Sequence, residues 1–252
     1  MKKRVAVFGT MDTKGAEYAY LKEHLIRCGL EVLMVDTGIT PMPEYPCEVT
    51  ATEVARAGGS SLEEIRKHDR LYAFQIMGNG SAVILKNLCH EDKIDGAISL
   101  GGGQGTLLAS MVMKALPIGF PKLIVSTIAN LRQEPFEGVR DTLVMNPLVD
   151  VSGLNHILKT ALQNAAAAMA GLVLFGGMDR PEHVPHKKAV GLTMFGVTTP
   201  CVEHVREILE ANGYEPIVFH ANGQGGKRLE EMIREGHILA VADITTGELT
   251  QE

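Results

Sequence analysis

Ile94-Asp95-Gly96-Ala97-Ile98-Ser99-Leu100-Gly101-Gly102-Gly103-Gln104-Gly105-Thr106 is the stretch that decides how this chain is read. A short apolar run feeds a glycine-rich turn. The turn opens onto a helical pattern from Leu107 to Leu116, which Pro117 stops. Glycines let a backbone turn where a β-carbon would obstruct it, and they leave room for a close ligand. The first N–H groups of the helix point outward without partners, at the positive end of its dipole. An anion, most often a phosphate, fits such a place. The turn lacks both the G-x-G-x-x-G context and the lysine of a Walker A loop. By itself it reads equally as a strand-to-helix turn without a ligand.

Upstream, Arg4 to Gly9 reads as a buried strand, and Thr10-Met11-Asp12-Thr13-Lys14-Gly15 as the turn after it. Asp12 or Thr13 is a candidate N-cap. Tyr18, Leu21, Leu25 and Cys28 fall at helical spacing, Gly29 closes that helix, and Glu31 to Asp36 is a second strand. Together they predict a β-α-β unit with parallel strands and a right-handed crossover. Thr37 to Thr50 is a loop holding Pro41, Pro43 and Pro46, long enough to be a lid or a partner-binding arm. Helices are expected over 51–57 and 62–68, with a capping box at Ser60 or Ser61 and Glu63-Glu64. A longer helix over 70–88 contains Gly78 and Gly80, which point to close packing or a kink.

Downstream, Lys122 to Ser126 and Thr142 to Met145 read as strands, and 153–174 as an alanine-rich helix. Phe175 to Lys188, with Gly176-Gly177, Pro181 and Pro185, is the best domain boundary. The same grammar then restarts. A strand over 189–196 leads to Thr199 as N-cap with Pro200 following, then a helix over 201–211. A strand over 215–219, a turn from His220 to Gly226, a helix to Glu235, a strand over 238–244 and a helix start at Thr245-Thr246-Gly247-Glu248 complete the pass. Phe8-Gly9-Thr10 and Phe195-Gly196 echo one another, as do Gly29 to Val32 and Gly213 to Pro216, so the two parts read as a distant repeat. The expected fold is α/β, a doubly wound parallel, Rossmann-like domain over residues 1–178. An incomplete second α/β domain of similar type follows over residues 188–252. The last helix is begun and not finished, and the chain is expected to be part of a longer protein.

Composition narrows the function. The net charge of −6, the absence of Trp and the low aromatic content argue against nucleic acid as a partner. Cys28, Cys47, Cys89 and Cys201 form no C-x-x-C pair, the histidines complete no zinc pattern, and no metal site is expected. The apolar run Val5 to Phe8 is too short for a signal peptide, and Ala165 to Phe175 is too short to span a bilayer. No membrane partner and a cytoplasmic location are the expectation.

Several stretches resemble one known family: Gly9 to Gly15, Leu116-Pro117-Ile118-Gly119 with Pro121-Lys122, Val125-Ser126-Thr127, and above all Gly191 to Cys201. It is an uncharacterised bacterial, fungal and plant family that shares the ATP-binding domain of the tomato mosaic virus resistance protein. The resemblance covers essentially the whole chain. It implies ATP binding, dimer formation, a second domain that continues further than this chain, and no settled reaction. Gly103-Gln104 and Ile128-Ala129-Asn130-Leu131 depart from the family's usual residues, and Gln104 adds a polar side chain beside the turn.

In a doubly wound sheet a ligand lies at the carboxyl ends of the strands, where strand order reverses. In a 2-1-3-4-5 order that point falls between the first and third strands. The candidate nucleotide-binding residues are therefore Gly9, Thr10, Asp12, Thr13 and Lys14 on one turn. Gly101, Gly102, Gly103, Gly105 and Thr106 form the other, with Ser126 and Thr127 after the fourth strand. Lys14 offers a point charge to phosphate, the threonines offer hydroxyls, and Asp12 could hold Mg²⁺ through water. His220 and Asn222 line the matching edge of the second domain. No nucleophile elbow is present, and no catalytic residue is assigned. Three functions follow: a nucleotide (ATP)-binding module, an enzyme acting on a phosphorylated or carboxylated metabolite between domains, or a protein-interaction module using the 37–50 arm.

Overall fold

The computed structural model describes residues 2–40, 46–129, 140–176 and 188–246. Pro41 and Pro43, Asn130 and Leu131, Pro181 and Pro185, and Gly247-Glu248 lie outside the described residues. The chain forms two compact units, Met1–Met178 and Asp179–Glu252.

The first unit is a five-stranded parallel sheet in the order β2-β1-β3-β4-β5, with β1 Arg4–Gly9, β2 Glu31–Asp36, β3 Gly96–Gly101, β4 Lys122–Ser126 and β5 Leu143–Met145. It is an α/β, Rossmann-like sheet, with helices covering both faces. On one face α1 Met11–Arg27 and α6 His156–Phe175 bury Tyr18, Leu21, Leu25, Leu158, Leu162 and Met169 against Val5, Val7, Ile98 and Val125. On the other, α2 Ala51–Ala57, α3 Leu62–Ile65, α4 Arg70–His90 and α5 Gly103–Ala115 enclose Ala6, Phe8, Ala97 and Ile124. The alternation of Val5 and Val7 with Ala6 and Phe8 thus sends side chains to two different cores, as a strand covered on both faces requires.

Several local expectations shift. α1 begins at Met11, so the predicted turn of residues 10–15 is its first turn, interrupted at Lys14 (φ −134°, ψ 28°). Thr10 is the N-cap, and its carbonyl accepts from the N–H groups of Thr13 and Lys14. The full capping box belongs to α2, where Thr50 and Glu53 bond reciprocally, while Ser61 caps α3 by accepting from Glu64 N. α3 is shorter than predicted and stops at Ile65. Gly80 answers to close packing, because a β-carbon there would stand 2.0 Å from the carbonyl oxygen of Val54 on α2. α6 is 20 residues long, so the apolar stretch Ala165 to Phe175 is the second half of a longer helix. Its apolar stripe faces α1 and the sheet.

The second unit is a three-stranded parallel sheet in the order β7-β6-β8, from β6 Ala189–Met194, β7 Glu215–His220 and β8 Ala240–Ala242. α7 Thr199–Ala211 buries Val202 against Val190 and Leu192, and α8 Gln224–Arg234 buries Leu229 against Ala189, Phe219 and Ile238. The chain enters α7 through a 3-10 turn at Gly196–Thr198, so Thr198 is the N-cap and Pro200 falls in the first turn. The order β7-β6-β8 repeats β2-β1-β3 strand for strand.

Candidate functional site

Strand order in the first sheet reverses between β1 and β3, and the carboxyl ends of these strands part there. β1 pairs with β2 over its full length, from Arg4↔Glu31 to Gly9↔Asp36. With β3 its register runs only over Val5↔Gly96, Ala6↔Ala97 and Val7↔Ile98. Beyond that point two buried hydroxyls do the work of backbone pairing. Ser99 Oγ donates to Phe8 O at 2.8 Å, and Tyr18 Oη donates to Leu100 O at 2.7 Å. Tyr18 also lies under Gly9, because a β-carbon on residue 9 would stand 1.7 Å from its hydroxyl oxygen. The ends of β1 and β3 therefore rest on one phenol. Burial pushes the Tyr18 pKa up to about 12, against its bonds to Ser99 and Leu100, so the hydroxyl keeps its proton.

The β3–α5 turn is tighter than a loop. Its glycines run straight into the helix, with Gly102 as N-cap and Gly103 as first residue, so α5 opens four residues before the predicted Leu107. Gly101 has to lack a side chain, because a β-carbon there would lie 2.9 Å from the Cα of Gly105. Thr106 N bonds to Gly102 O at 2.8 Å, which leaves the N–H groups of Gly103, Gln104 and Gly105 ahead of the first intrahelical bond. Gly102 has no side chain with which to cap them. Around Gly103 the space where a β-carbon would stand is open. Thr127 reaches this turn from β4. Its N–H bonds to Gly101 O at 3.2 Å, and its hydroxyl lies 3.6 Å from the place of a β-carbon on Gly102.

The other predicted residues have partners within the chain. Thr106 and Ser126 are buried and share a hydroxyl–hydroxyl bond of 2.7 Å, and Ser126 Oγ also accepts from Ile128 N. Their role is to join α5 to the end of β4. Thr13 is exposed and bonds to Thr10 through both side chains. Lys14 Nζ donates to the carbonyl of Val151, in the segment that leads to α6. Glu17 accepts from Gly153 N at 2.6 Å, so α1 holds that segment at two points. Asp12 does not cap its helix. Its Oδ2 accepts from Ile39 N, Thr40 N and Thr40 Oγ1, and its Oδ1 is enclosed without a partner. Among the described residues no group of three His, Cys, Asp or Glu side chains could hold a metal ion.

Three residues that matter here were not singled out in the sequence: Tyr18, Ser99 and Asp36. Asp36 ends β2, 3% exposed, and its Oδ1 accepts from Met11 N at 3.2 Å and Gly38 N at 2.8 Å. Burial raises its pKa, the two backbone bonds oppose that, and the charge of Asp12 adds to it. A carboxylate closing the second strand is the available signal, since that position touches ribose in dinucleotide-binding sheets. In this chain it is turned inward onto the start of α1.

The model of the Uncharacterised protein family (UPF0261) N-terminal domain matches residues 3–176. The chain belongs to the UPF0261 family. The UPF0261 C-terminal domain matches residues 187–252. A UPF0261 protein of Clostridium tetani is 44% identical over 253 residues, covering all of this chain and 62% of that protein. The ToMV susceptible protein tm-1(GCR26) of Solanum lycopersicum is 37% identical, over 98% of this chain and 35% of its own length. The chain thus spans less than two thirds of the length of either relative. Among solved structures, the UDP-GlcNAc 2-epimerase of Methanocaldococcus jannaschii, in complex with UDP-GlcNAc and UDP, is similar over 99% of this chain and 75% of that one. It shows 14% identity and a TM-score of 0.34. The enzyme of Neisseria meningitidis gives 12% identity and a TM-score of 0.31, over 96% and 72% of the two chains. Likenesses at that level carry no argument about what a UPF0261 chain binds.

Proposed function

We propose that this chain is a nucleotide-binding protein, with ATP as its ligand, and that the phosphates lie at the N-terminus of α5 between the ends of β1 and β3. The observation that carries this reading is the uncapped first turn of α5. Three N–H groups sit beside an open position at Gly103, at the point where strand order reverses. The hydroxyl of Thr127 supplies a donor beside it. Lys14 contributes charge while bonded to Val151, since an ammonium group has three protons and the carbonyl takes one. Mg²⁺ entering with the nucleotide would neutralise phosphate charge, and Asp12 would offer it only Oδ1, since Oδ2 is taken by residues 39 and 40.

Calorimetric titration with ATP tests the reading, using Gly103→Asp as the probe. The open space at Gly103 accepts the side chain without displacing a neighbour, so the variant folds and sets a carboxylate against the phosphates. ATP affinity should fall by at least about tenfold, a difference of roughly 1.4 kcal/mol. Unchanged affinity in a folded Gly103→Asp protein rejects the site.

A further inference from the structure

The second unit carries a feature that the first replaces with its own chain. The two sheets match register for register. Gly9↔Asp36 closes the β1–β2 pairing, and Met194↔His220 closes the β6–β7 pairing, each as the last of six partners. His220 therefore occupies the place of Asp36. In the first unit that place is filled from within, by a carboxylate bonded to Met11 N and Gly38 N. In the second unit His220 is exposed, and among the described residues neither of its ring nitrogens has a hydrogen-bond partner. Its ring stacks on Phe195, which follows β6 directly, with centroids 5.2 Å apart and planes 20° apart. Phe195 is 38% exposed. Beside them Asn222 is exposed, and its Oδ1 accepts from Gly225 N at 3.2 Å, which leaves its amide protons to other partners.

We infer that Phe195 and His220 form a stacking platform for a planar heteroaromatic ring of the nucleobase type, at the carboxyl edge of the second sheet. The two rings stack at a separation usual for aromatic pairs and both keep exposed surface. An apolar ring beside an imidazole gives a base both a π face to stack on and a donor or acceptor at its rim. The hydroxyls nearby are already paired: Thr193 Oγ1 with Asp243 at 2.6 Å and Thr198 Oγ1 with Thr245 Oγ1 at 2.6 Å. They hold the ends of β6 and β8 in place and leave the two rings as the groups that meet a ligand.

The test is an NMR titration of the full chain, with labelled histidine, using adenosine and uridine. Neither nucleoside carries a phosphate, so the α5 site is not what is being read. His220 ring protons are assigned by their loss in His220→Gln. They should shift saturably on titration. In Phe195→Leu the apparent Kd should rise at least about fivefold, the lower end for losing one base–aromatic stack, while Phe195→Tyr retains binding. A melting curve for each variant confirms the fold. The Gly103→Asp protein should show the same His220 shift as the parent, which separates this site from the ATP reading. The proposal is overturned if neither nucleoside gives a saturable shift, if Phe195→Leu binds as tightly as the parent, or if Gly103→Asp abolishes the shift.

Discussion

The hydroxyl oxygen of Tyr18 lies 1.7 Å from the position a β-carbon on residue 9 would take, so Gly9 and Tyr18 occupy one shared space. Gly9→Ala forces either the phenol or the end of β1 to move. Overpacking of this kind costs about 1–3 kcal/mol, read from urea denaturation. Tyr18→Ala opens a cavity and costs about 3–5 kcal/mol, by analogy with other large aromatic truncations. The double variant Gly9→Ala/Tyr18→Ala should be more stable than the sum of the two losses predicts, because the second change removes the clash created by the first. Additive losses would show that the two residues do not compete.

Tyr18→Phe isolates the hydroxyl. The ring stays, but Leu100 O loses its 2.7 Å donor at a buried position. The expected loss is about 1–3 kcal/mol, the cost of leaving a buried acceptor unpaired. The same hydroxyl gives a pH signature. Its folded pKa, about 12, is above the ordinary tyrosine value of 10.0. The resulting stabilisation is complete below pH 10.0 and is lost as pH rises towards 12. Ultraviolet titration of the five tyrosines should therefore show one phenol that ionises last. Its loss in Tyr18→Phe identifies it.

Asp36 gives a second pH signature at the acid end. Its folded pKa lies above the ordinary aspartate value of 3.8, chiefly through burial. Between those values the folded state binds the extra proton, so this group's contribution to stability falls as pH rises, and it levels off above the folded pKa. Asp36→Asn keeps an acceptor for Met11 N and Gly38 N and removes the ionisation. The stability difference between Asp36→Asn and the parent should increase in favour of the variant from pH 3.8 upward and then become constant. A flat difference across that range would contradict the burial argument.

Lys14→Met removes the bond to Val151 O while Glu17 still holds Gly153 N. Amide exchange in residues 151–153 should quicken locally, with a stability loss of about 1 kcal/mol. ATP affinity should fall as well if the ammonium also serves phosphate. A faster-exchanging segment with unchanged ATP affinity would restrict Lys14 to its structural bond.

Much of the fold was legible in the sequence because its signals are local. Val5 to Phe8, Val32 to Val35 and Ile98 to Val125 carry strand runs separated by helical spacing, and that pattern fixes a parallel sheet with crossovers. The candidate site is legible only at its glycines. Gly101 and Gly103 announce a turn onto a helix, but that the helix starts at Gly103 depends on Gly101 meeting Gly105 across it. The tasks of Asp12, Lys14 and Tyr18 depend on Thr40, Val151 and Leu100, residues 28, 137 and 82 positions away. No spacing rule links side chains that far apart. Asp12 read as a cap because caps are local, and its partner on the β2 side could be seen only once β1 and β2 were laid side by side.

That carboxylate has a consequence for how the first sheet communicates with its surroundings. One oxygen of Asp12 takes three bonds from residues 39 and 40, and Arg66 Nε clasps the Ile39 carbonyl from the other side. The chain's exit from β2 is thus latched by a single acidic atom rooted in the turn after β1. Without that atom residues 39 and 40 would come loose while the strands beneath stayed paired, so the turn after β1 sets the course of the chain that leaves β2.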